Sequence, residues 1–490
     1  LRHGATEDHG DAYGFNLVYS CNHLCEIEVD FNNSSRVMMG IDPSDFGWTL
    51  APGEEFYSPE AVLVYSSEGL GGMSRTFHRL YNNNLVRGPW KKAKRPLLIN
   101  NWEGTYFDFD DDKLFNIAKW AKETGIEMLV MDDGWFGKRN DDTCALGDWE
   151  VNEDKLRGGI GSLVSRIKGL GLKFGIWYEP EMISPDSDLF RAHPDWHIHV
   201  PARESSVGRH QYVIDMTRQD VRDYLFNKMS EVLANNDIDY VKWDFNRNIT
   251  EAGSAILPPE RQKEFFHRFI LGTYELMDRL LTAYPHLLLE NCSGGGGRYD
   301  PGMMYYSPQI WCSDNTDALS RVDIQFGSSL CYPASVQGAH VSASRRSGYE
   351  TKRNVAMWGS FGYELDPAKI SEEARAEIKT QIDDYHKYYD LIHYGDLYRL
   401  INPWDDPYKV AWEFVSEDKS EAMLTVVVKF FKEARNFFIK LKGLDENKYY
   451  VCDHNNEVYS GALLMKAGLS MYYLPVGDGE SYAIHLKEVK

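Results

Sequence analysis

The 490-residue chain carries 53 basic and 74 acidic residues, which gives a formal charge of −21 at pH 7. A surface this acidic repels nucleic-acid phosphates and anionic membranes, so we expect neither as a partner. Hydrophobic residues make up 43% of the chain and charged residues 26%, values that exclude disordered and fibrous proteins and allow a large core.

Hydropathy and cysteine usage bear on the cellular compartment. The sequence has no apolar run of membrane-spanning length and does not open on a secretory leader, although it starts at Leu1 rather than at a methionine. Its seven cysteines form no CxxC pair, which argues against a zinc site and against a disulfide framework. We therefore expect reduced thiols, no metal and a cytoplasmic location.

The first 88 residues predict an N-terminal β region. Short alternating runs are separated by turn-rich pieces, a pattern typical of antiparallel strands. The predicted strands are Phe15–Ser20, Leu24–Asp30, Arg36–Ile41 and Ala61–Tyr65. A short helix and a connector are expected over residues 69–88.

Residues 89–395 predict a barrel, because strand-length apolar runs alternate there with helical periods. The eight predicted strands are Leu97–Trp102, Glu127–Met131, Lys173–Tyr178, Tyr212–Met216, Asp239–Phe245, Leu287–Asn291, Gln309–Ser313 and Val336–Val341. Helical periods lie between them, for example over Asp111–Thr124, Gln219–Asn235 and Glu260–Ala283. A doubly wound sheet is the alternative, but polar residues at most strand ends favour a (β/α)8 TIM barrel.

Residues 396–490 return to a β pattern. The predicted strands are Val410–Val415, Met423–Phe430, Phe437–Leu441, Tyr449–Asp453 and Tyr472–Val476. The fold class is therefore α/β, a TIM barrel flanked by an N-terminal β-sheet remnant and a C-terminal antiparallel β-sandwich.

Two adjacent carboxylates, Asp132 and Asp133, follow the second predicted strand. Such a pair is unfavourable unless cations or hydrogen-bond donors meet it, and the hydroxyls of a sugar would do so. A helix cap is an equally good interpretation of these two residues.

Lys242 and Asp244 lie two apart on the fifth predicted strand and so point to the same side. At a barrel mouth the ammonium would pair with Asp244 and keep it ionised, as a nucleophilic carboxylate requires. A structural salt bridge is the alternative, and it is less favoured because barrel interiors are mostly apolar.

The sixth and seventh strand ends carry further candidates. Cys292 precedes the glycine run 294–297, which lacks the pattern of a phosphate loop, and no base that would activate the thiol is identifiable. Asp314 at the next strand end is a functional candidate, whereas Asp317 is expected to cap a helix. Structural roles are expected for Glu179, Glu181 and Asp215.

Two carboxylates at a barrel mouth ringed by tryptophans indicate glycoside hydrolysis. Nucleotide, metalloprotease and serine-hydrolase motifs are absent from the sequence. These residues alone name no sugar.

Read together, the strand ends resemble glycoside hydrolase family 36, the bacterial α-galactosidases of the melibiase and raffinose-cleaving type. The matching segments occur in the family's order over nearly the whole chain. They are Tyr13–Phe15, Asn101–Glu103, Asp132–Gly137, Trp177–Met182, Lys242–Arg247, Glu290–Gly294, Ser313–Asp317 and Phe361–Leu365.

The resemblance implies a retaining double displacement on terminal α-galactosides. Asp244 matches the family's nucleophile and Asp314 its acid/base, and retaining chemistry expects the two carboxyl groups about 5–5.5 Å apart. Asp132 and Asp133 match acceptors for the 4- and 6-hydroxyls of galactose.

The resemblance also assigns the remaining sugar contacts and implies neither metal nor organic cofactor. Lys242 and Arg209 match sugar-contacting positions, and Trp102 and Trp177 match aromatic walls of the galactose pocket. The segment with Cys292, Gly294 and Gly295 matches the wall beside the 2-hydroxyl, where a 2-acetamido group would have little room.

The chain departs from the family in three places. Only the end of the family's large N-terminal β-supersandwich is expected in residues 1–88, and this domain contributes to homo-oligomers in full-length members. Cys21 replaces a usual glycine, and Ser344–Ser347 replaces a Pro-Asn-His-containing loop. The alternatives left open are an α-N-acetylgalactosaminidase, an α-galactosyl transferase and a non-catalytic galactose-binding fragment.

Overall fold

The computed structural model describes residues 1–343, 346–431, 437–472 and 477–489, and it begins with two small antiparallel sheets. The first elements are β1 (Ala12–Val18), β2 (His23–Val29), β3 (Ser35–Ile41), β4 (Glu60–Ser66) and helix α1 (Gly69–Leu80). β1 pairs with β4 and β2 pairs with β3. α1 packs closely under β1, since a Cβ at Gly14 would lie 2.3 Å from the ring of Phe77.

A closed barrel of eight parallel strands follows, with helices between the strands. Its chain segment contains the strands β5 (Leu98–Asn100), β6 (Met128–Met131), β7 (Lys173–Tyr178), β8 (Met182–Ile183), β9 (Tyr212–Val213), β10 (Tyr240–Trp243), β11 (Leu288–Asn291), β12 (Gln309–Trp311), β13 (Gln337–Ser342) and β14 (Ser360–Glu364). All except β8 and β9 belong to the barrel, which therefore confirms the predicted fold class.

The helices of the barrel segment cover its outside and its loops. They are α2 (Trp102–Thr105), α3 (Asp111–Thr124), α4 (Gly159–Gly169), α5 (Asp188–Ala192), α6 (Gln219–Asn235), α7 (Phe265–Ala283), α8 (Pro301–Tyr306), α9 (Ala318–Ser328), α10 (Tyr349–Ala356) and α11 (Glu372–Tyr394). Local signals fix their ends. α3 begins after Asp110, whose side chain accepts from the Lys113 N–H, and ends at Gly125, with φ of +98°.

One predicted barrel strand is wrong, and one barrel strand was not predicted. The predicted strand Tyr212–Met216 is outside the barrel, because only Tyr212–Val213 is extended and it pairs antiparallel with β8 in a loop hairpin. The eighth barrel strand is instead β14, which closes the barrel by pairing with β13 and β5. The hydrophobic pattern at Tyr212 correctly indicated an extended segment, but such a pattern does not distinguish a strand of a hairpin from a strand of the barrel.

The C-terminal region is antiparallel. It contains β15 (Asp396–Ile401), β16 (Lys409–Val415), β17 (Glu421–Val428), β18 (Phe438–Ile439), β19 (Tyr449–Cys452), β20 (Val458–Ser460), α12 (Gly461–Lys466), β21 (Leu469–Ser470) and β22 (Glu480–Glu488). Six strands form one sheet in the order β15-β16-β17-β22-β19-β20, and β18 pairs with β21. Most of the predicted strand Tyr472–Val476, and Ser344 and Arg345 of the unusual loop, lie outside the described residues.

The structure also bears on membrane spans and on the state of the cysteines. No helix within the described ranges is long and apolar enough to cross a membrane. All seven cysteines are free thiols.

The barrel and the C-terminal sheet share one core. Trp358, just after α10, stacks on Trp412 of β16 with ring centroids 4.3 Å apart and planes 24° apart. Both indoles are 1% exposed. Close beside this stack, Asn354 Nδ2 donates to Ser481 Oγ over 2.8 Å. The two parts are thus joined by buried aromatic packing and by a buried hydrogen bond.

We expect Trp412→Ala to destabilise the protein by about 3–5 kcal/mol, because it empties a large buried volume at this junction. The measurement is the shift of the thermal unfolding midpoint. Trp404→Ala is the matched control, since Trp404 is 62% exposed and its loss opens little cavity. Equal shifts for the two variants would contradict the shared core.

Candidate active site

A pocket of about 230 Å³ lies at the carboxyl ends of the barrel strands. Eight of the eleven predicted site residues line it, namely Trp102, Asp132, Asp133, Trp177, Arg209, Lys242, Asp244 and Asp314. The other lining residues are Glu103, Tyr106, Asn246, Trp311, Thr316 and Glu364. Six of these fourteen side chains are carboxyl groups and two are cationic, so the pocket is rich in acceptor oxygens.

Asp132 and Asp133 follow β6, and each carboxylate is held by a buried cation. Lys242 Nζ lies 3.0 Å from Asp132 Oδ2, which also accepts from Asn100 Nδ2 over 2.6 Å. Arg139 donates to both oxygens of Asp133, over 2.7 and 2.8 Å. Burial raises the pKa of Asp133, and the Arg139 guanidinium opposes that rise. The helix-cap interpretation does not hold, because the next helix begins at Gly159.

The ion pair of Lys242 differs from the one expected from the sequence. The side chain points into the barrel as predicted, but its partner is Asp132 and not Asp244. Burial opposes the ammonium charge, yet the negative charge of Asp132 raises the pKa of Lys242 well above its ordinary value. Lys242 and Asp244 share one side of the strand, but the carboxylate that pairs with Lys242 follows β6, two strands along the barrel wall.

Asp244 directly follows β10 and is oriented by N–H donors. Its own N–H donates to the Tyr178 carbonyl over 2.8 Å, which continues the pairing with β7. Its carboxylate accepts from Trp177 Nε1 over 3.2 Å, from Asn246 Nδ2 over 2.7 Å and from the Phe245 N–H over 2.9 Å. These three donors stabilise a negative charge at a fixed place in the pocket.

Asp314 stands in the loop between β12 and α9, where it faces the pocket. Trp311 Nε1 donates to its Oδ1 over 3.1 Å, and the Cys292 thiol lies 4.0 Å from the same oxygen. Burial on its protein side raises the pKa of Asp314, and the charge of Asp244 raises it further. Asp317 caps α9, as predicted, by accepting from the Ser320 N–H.

The glycine-rich segment supports the pocket from behind. Cys292 is 1% exposed, and neither it nor Gly294 nor Gly295 lines the cavity. Gly295 has a φ of +89°, and a Cβ there would lie 2.8 Å from the backbone N of Asp314. The absence of a side chain therefore lets this loop pack directly against the Asp314 loop.

The predicted aromatic and cationic site residues differ in how deeply they lie in the pocket. Trp177 is 1% exposed and donates to Asp244, so its indole is part of the buried floor. Trp102 is half-buried and meets Tyr106 edge-on, with ring centroids 5.3 Å apart. Arg209 sits at the exposed tip of the tight turn between Gly208 and Gln211, with φ of +52°.

Glu103 and Glu364 are carboxyl groups of the pocket that the sequence analysis did not single out. Thr316 Oγ1 donates to Glu103 Oε1 over 2.6 Å, and Glu364 Oε2 lies 3.2 Å from His340 Nδ1. Burial, together with neighbouring negative charge, raises the pKa of each carboxyl group to about 7. Glu364 ends β14, which was not among the predicted strands, and its segment Phe361–Leu365 carried the family resemblance without a role for this residue.

Glu179 and Glu181 lie below the pocket. Arg298 donates to both oxygens of Glu181, which is fully buried and fits the structural role expected of it. Glu179 accepts from Gln211 Nε2 and from the Asn246 N–H. Burial and the charge of Asp244 raise the pKa of Glu179 to about 8. Within the part of the chain that the structure describes, no cluster of His, Cys, Asp and Glu side chains is arranged to hold a metal ion.

The Glu179 carboxyl group predicts a pH effect on stability. Between its ordinary pKa of 4.5 and the folded-state value of about 8, the folded protein keeps a proton that the unfolded chain releases. Its contribution to stability is therefore present below pH 4.5 and is lost as pH rises through about 8. Glu179→Gln stays neutral, so we expect the variant to gain stability relative to wild type as pH rises.

The measurement is the thermal unfolding midpoint at about pH 5 and about pH 8. Most of the pH-dependent loss of stability caused by Glu179 is expected between these two values. Glu153→Gln is the control, because Glu153 is exposed. A difference between Glu179→Gln and wild type that stays constant with pH would refute the assignment.

Comparison with known proteins gives three family matches. The Melibiase model matches residues 55–395, and models of the glycosyl hydrolase family 36 N-terminal and C-terminal domains match residues 1–51 and 409–486. Among curated proteins, alpha-galactosidase AgaA of Geobacillus stearothermophilus is 51% identical over 477 residues, or 96% of this chain and 65% of that protein. Alpha-galactosidase Mel36A of Lactobacillus acidophilus is 44% identical over 99% of this chain and 67% of that protein.

Solved structures agree with these matches. The crystal structure of AgaA has a TM-score of 0.97 to this chain at 50% identity, covering 99% of this chain and 68% of that one. Variants of AgaA have been solved in complex with raffinose and with stachyose. This chain spans 65% of the length of AgaA.

Proposed function

This chain belongs to the melibiase family, glycosyl hydrolase family 36, and from that premise we propose that it hydrolyses terminal, non-reducing α-D-galactosyl residues with retention of configuration. Galacto-oligosaccharides of the raffinose and melibiose type are the proposed substrates, because AgaA variants bind raffinose and stachyose. One observation carries the mechanism. Asp244 and Asp314 open into the same pocket in contrasting surroundings.

In the first step, Asp314 acts as the acid and Asp244 as the nucleophile. Asp314 has a raised pKa, which keeps a proton available for the glycosidic oxygen. Asp244, held by three N–H donors, attacks the anomeric carbon from the opposite face and forms a β-galactosyl ester. The leaving alcohol departs with the proton of Asp314.

In the second step, Asp314 acts as the base. Esterification removes the negative charge of Asp244, which is one of the two causes that raise the pKa of Asp314. The pKa of Asp314 therefore falls once the intermediate has formed, and its carboxylate takes a proton from the attacking water. Water attacks from the face that the aglycone left, so the product is α-galactose.

Galactose recognition is assigned to the two carboxylates after β6. Asp132 and Asp133 are each fixed by a buried cation, so their free lone pairs point at the pocket without reorganisation. We assign them to the 4- and 6-hydroxyls, with Lys242 and Arg209 as further sugar contacts. Trp102 and Trp177 supply the aromatic walls.

The glycine-rich segment is assigned to the side of the 2-hydroxyl. Cys292 lies against Asp314, and Gly295 packs on the backbone of the same residue. Because Gly294 and Gly295 carry no side chains, the backbone packs close to the Asp314 loop, and we infer that little room is left there for an acetamido group. This packing supports galactose over N-acetylgalactosamine.

We also propose the division of the chain into residues 1–88, 89–395 and 396–490. The packing of α1 on β1 and β4 supports the first boundary, although the Melibiase match already begins at residue 55.

A cytoplasmic location is supported by the seven free thiols. A homo-oligomer of the whole protein is supported by the outward face of the β1–β4 sheet, where four apolar side chains are exposed: Tyr13, Phe15, Leu63 and Tyr65.

Asp244→Asn is expected to lower turnover of 4-nitrophenyl α-D-galactoside by at least about 10³-fold, because the amide cannot form the glycosyl ester. Binding of galactose, measured by calorimetry, should remain, since the sugar contacts are intact. Asp188→Asn is the control for the substitution itself, because Asp188 is an exposed aspartate on α5.

The stereochemical course tests the same proposal in the wild-type chain. Proton NMR of the first sugar released should show α-galactose before mutarotation. Early β-galactose would exclude the retaining mechanism, and binding of galactose without any turnover would favour the non-catalytic interpretation.

Asp314→Ala is expected to affect substrates according to their leaving groups. Melibiose needs protonation of its leaving oxygen, so kcat/KM should fall by about 10²–10⁴-fold. A 2,4-dinitrophenyl α-galactoside leaves without help, so its kcat/KM should change little, while kcat falls because water attack loses its base. Azide, which needs no base, should restore kcat on the activated substrate. An equal loss of kcat/KM on both substrates would argue against an acid/base role.

A further inference from the structure

Arg321 is a buried cation directly behind the loop that carries Asp314. The side chain comes from α9 and is 3% exposed. Its Nη2 donates to the Ser313 carbonyl over 2.6 Å and its Nε donates to the Asn315 carbonyl over 2.7 Å. Its Nη1 donates to the Gly338 carbonyl of β13 over 3.1 Å. One guanidinium therefore holds both chain neighbours of Asp314 and ties them to the adjacent barrel strand.

The same guanidinium also supports the side chain that donates to Asp314. Its central carbon lies 4.3 Å from the ring centroid of Trp311, whose Nε1 donates to Asp314 Oδ1 over 3.1 Å. Lys242 Nζ lies 5.8 Å from the same ring. Arg321 thus constrains Asp314 twice, through the backbone on either side of it and through the indole that orients its carboxyl group.

The hydrogen bonds of Arg321 are unusual for a buried charge. Among the described residues, no carboxylate forms an ion pair with it, and three backbone carbonyls and the Cys312 sulfur accept from it. Taking a guanidinium out of water is costly, and the hydrogen bonds to the loop carbonyls offset part of that cost. A planar fork with five donors can hold three separated carbonyls, whereas a lysine ammonium at the end of a flexible stem cannot.

We propose that Arg321 is a positioning residue for Asp314, holding the acid/base carboxyl group where it can reach the glycosidic oxygen and the attacking water. The inference rests on the proposed function. Arg321 does not line the pocket, so we expect it to make no contact with the sugar. Its loss should therefore impair proton transfer while galactose binding persists.

Arg95 supplies a matched control for a purely structural arginine. It is 5% exposed, and it donates only to backbone carbonyls, those of Trp90, Ala93 and Pro308. It precedes β5 and so belongs to the opposite, amino end of the barrel. Arg95→Lys therefore removes a similar set of hydrogen bonds far from the pocket.

The experiment compares Arg321→Lys, Arg321→Gln and Arg95→Lys with wild type on melibiose and on 2,4-dinitrophenyl α-galactoside. For both Arg321 variants we expect kcat/KM on melibiose to fall by at least about tenfold, because general acid catalysis contributes about 10²–10⁴-fold when well positioned. We expect kcat/KM on the activated substrate to fall by less than about threefold. The affinity for galactose should be unchanged, and Arg95→Lys should show no dependence on the leaving group.

A further measurement separates positioning from folding. In Arg321→Ala, added guanidinium ion should restore part of the activity on melibiose and leave the activated substrate unaffected. Equal losses on both substrates, or a failure of both Arg321→Lys and Arg321→Gln to fold, would overturn the proposal in favour of a structural role. Turnover of the activated galactoside by the wild-type chain tests the proposed function separately. If the wild-type chain does not turn it over, the proposed function is wrong, whatever the relative activities of the Arg321 variants.

Discussion

The buried ion pair between Lys242 and Asp132 is the interaction on which the pocket depends. Closing the barrel brings the carboxyl ends of its strands together, and with them six carboxyl groups. Asp132 follows β6 and Lys242 lies on β10, and both strands pair with β7, so the ion pair joins two strand ends across one intervening strand. Removing one partner of such a buried pair costs about 3–5 kcal/mol, because the other charge is left without compensation. The ammonium therefore permits the concentration of carboxyl groups that the proposed chemistry needs.

That concentration also explains why the carboxyl groups of the pocket behave differently. Asp244 accepts from three N–H donors, whereas burial and neighbouring negative charge raise the pKa values of Glu103, Glu364 and Asp314. Carboxylates that lie close together repel one another, and this favours the protonated form of the carboxyl groups that accept the fewest hydrogen bonds. A carboxylate oriented by N–H donors beside a carboxyl group with a raised pKa is the combination that acid-assisted nucleophilic attack requires.

The sequence predicted most of this arrangement where the signal was local. Asp132, Asp133, Asp244 and Asp314 each follow a short apolar run, and the parallel ends of barrel strands meet at one mouth. The cap at Asp317 and the limits of α3 also depend only on neighbouring residues, and they were predicted correctly.

Features that depend on residues far apart in the chain were not predictable in the same way. Lys242 shares a strand face with Asp244, but its partner lies 110 residues away, and only the closed barrel brings them together. The strand β14 contains a glycine and ends in Glu364, so its composition did not mark it as a buried strand. Tyr212–Val213 had the stronger strand pattern, yet it pairs within a loop. Hydrophobic alternation reports that a segment is extended and half-buried, but not which sheet it joins.

Several cationic side chains contact the pocket from its protein side and leave the carboxylates facing the cavity. This arrangement determines which sugars the pocket can bind. Arg139 reaches Asp133 from the following loop, and the Arg321 fork is directed at backbone carbonyls behind the Asp314 loop. Apart from Lys242 and the exposed Arg209, the lining therefore offers mainly oxygen acceptors. Sugar hydroxyls can donate to them, and the positive charge that develops at an anomeric carbon is stabilised by them. An anionic sugar acid would instead bring a negative charge against carboxylates whose counter-charges are already engaged, so the same geometry that favours a neutral galactoside disfavours its oxidised counterpart.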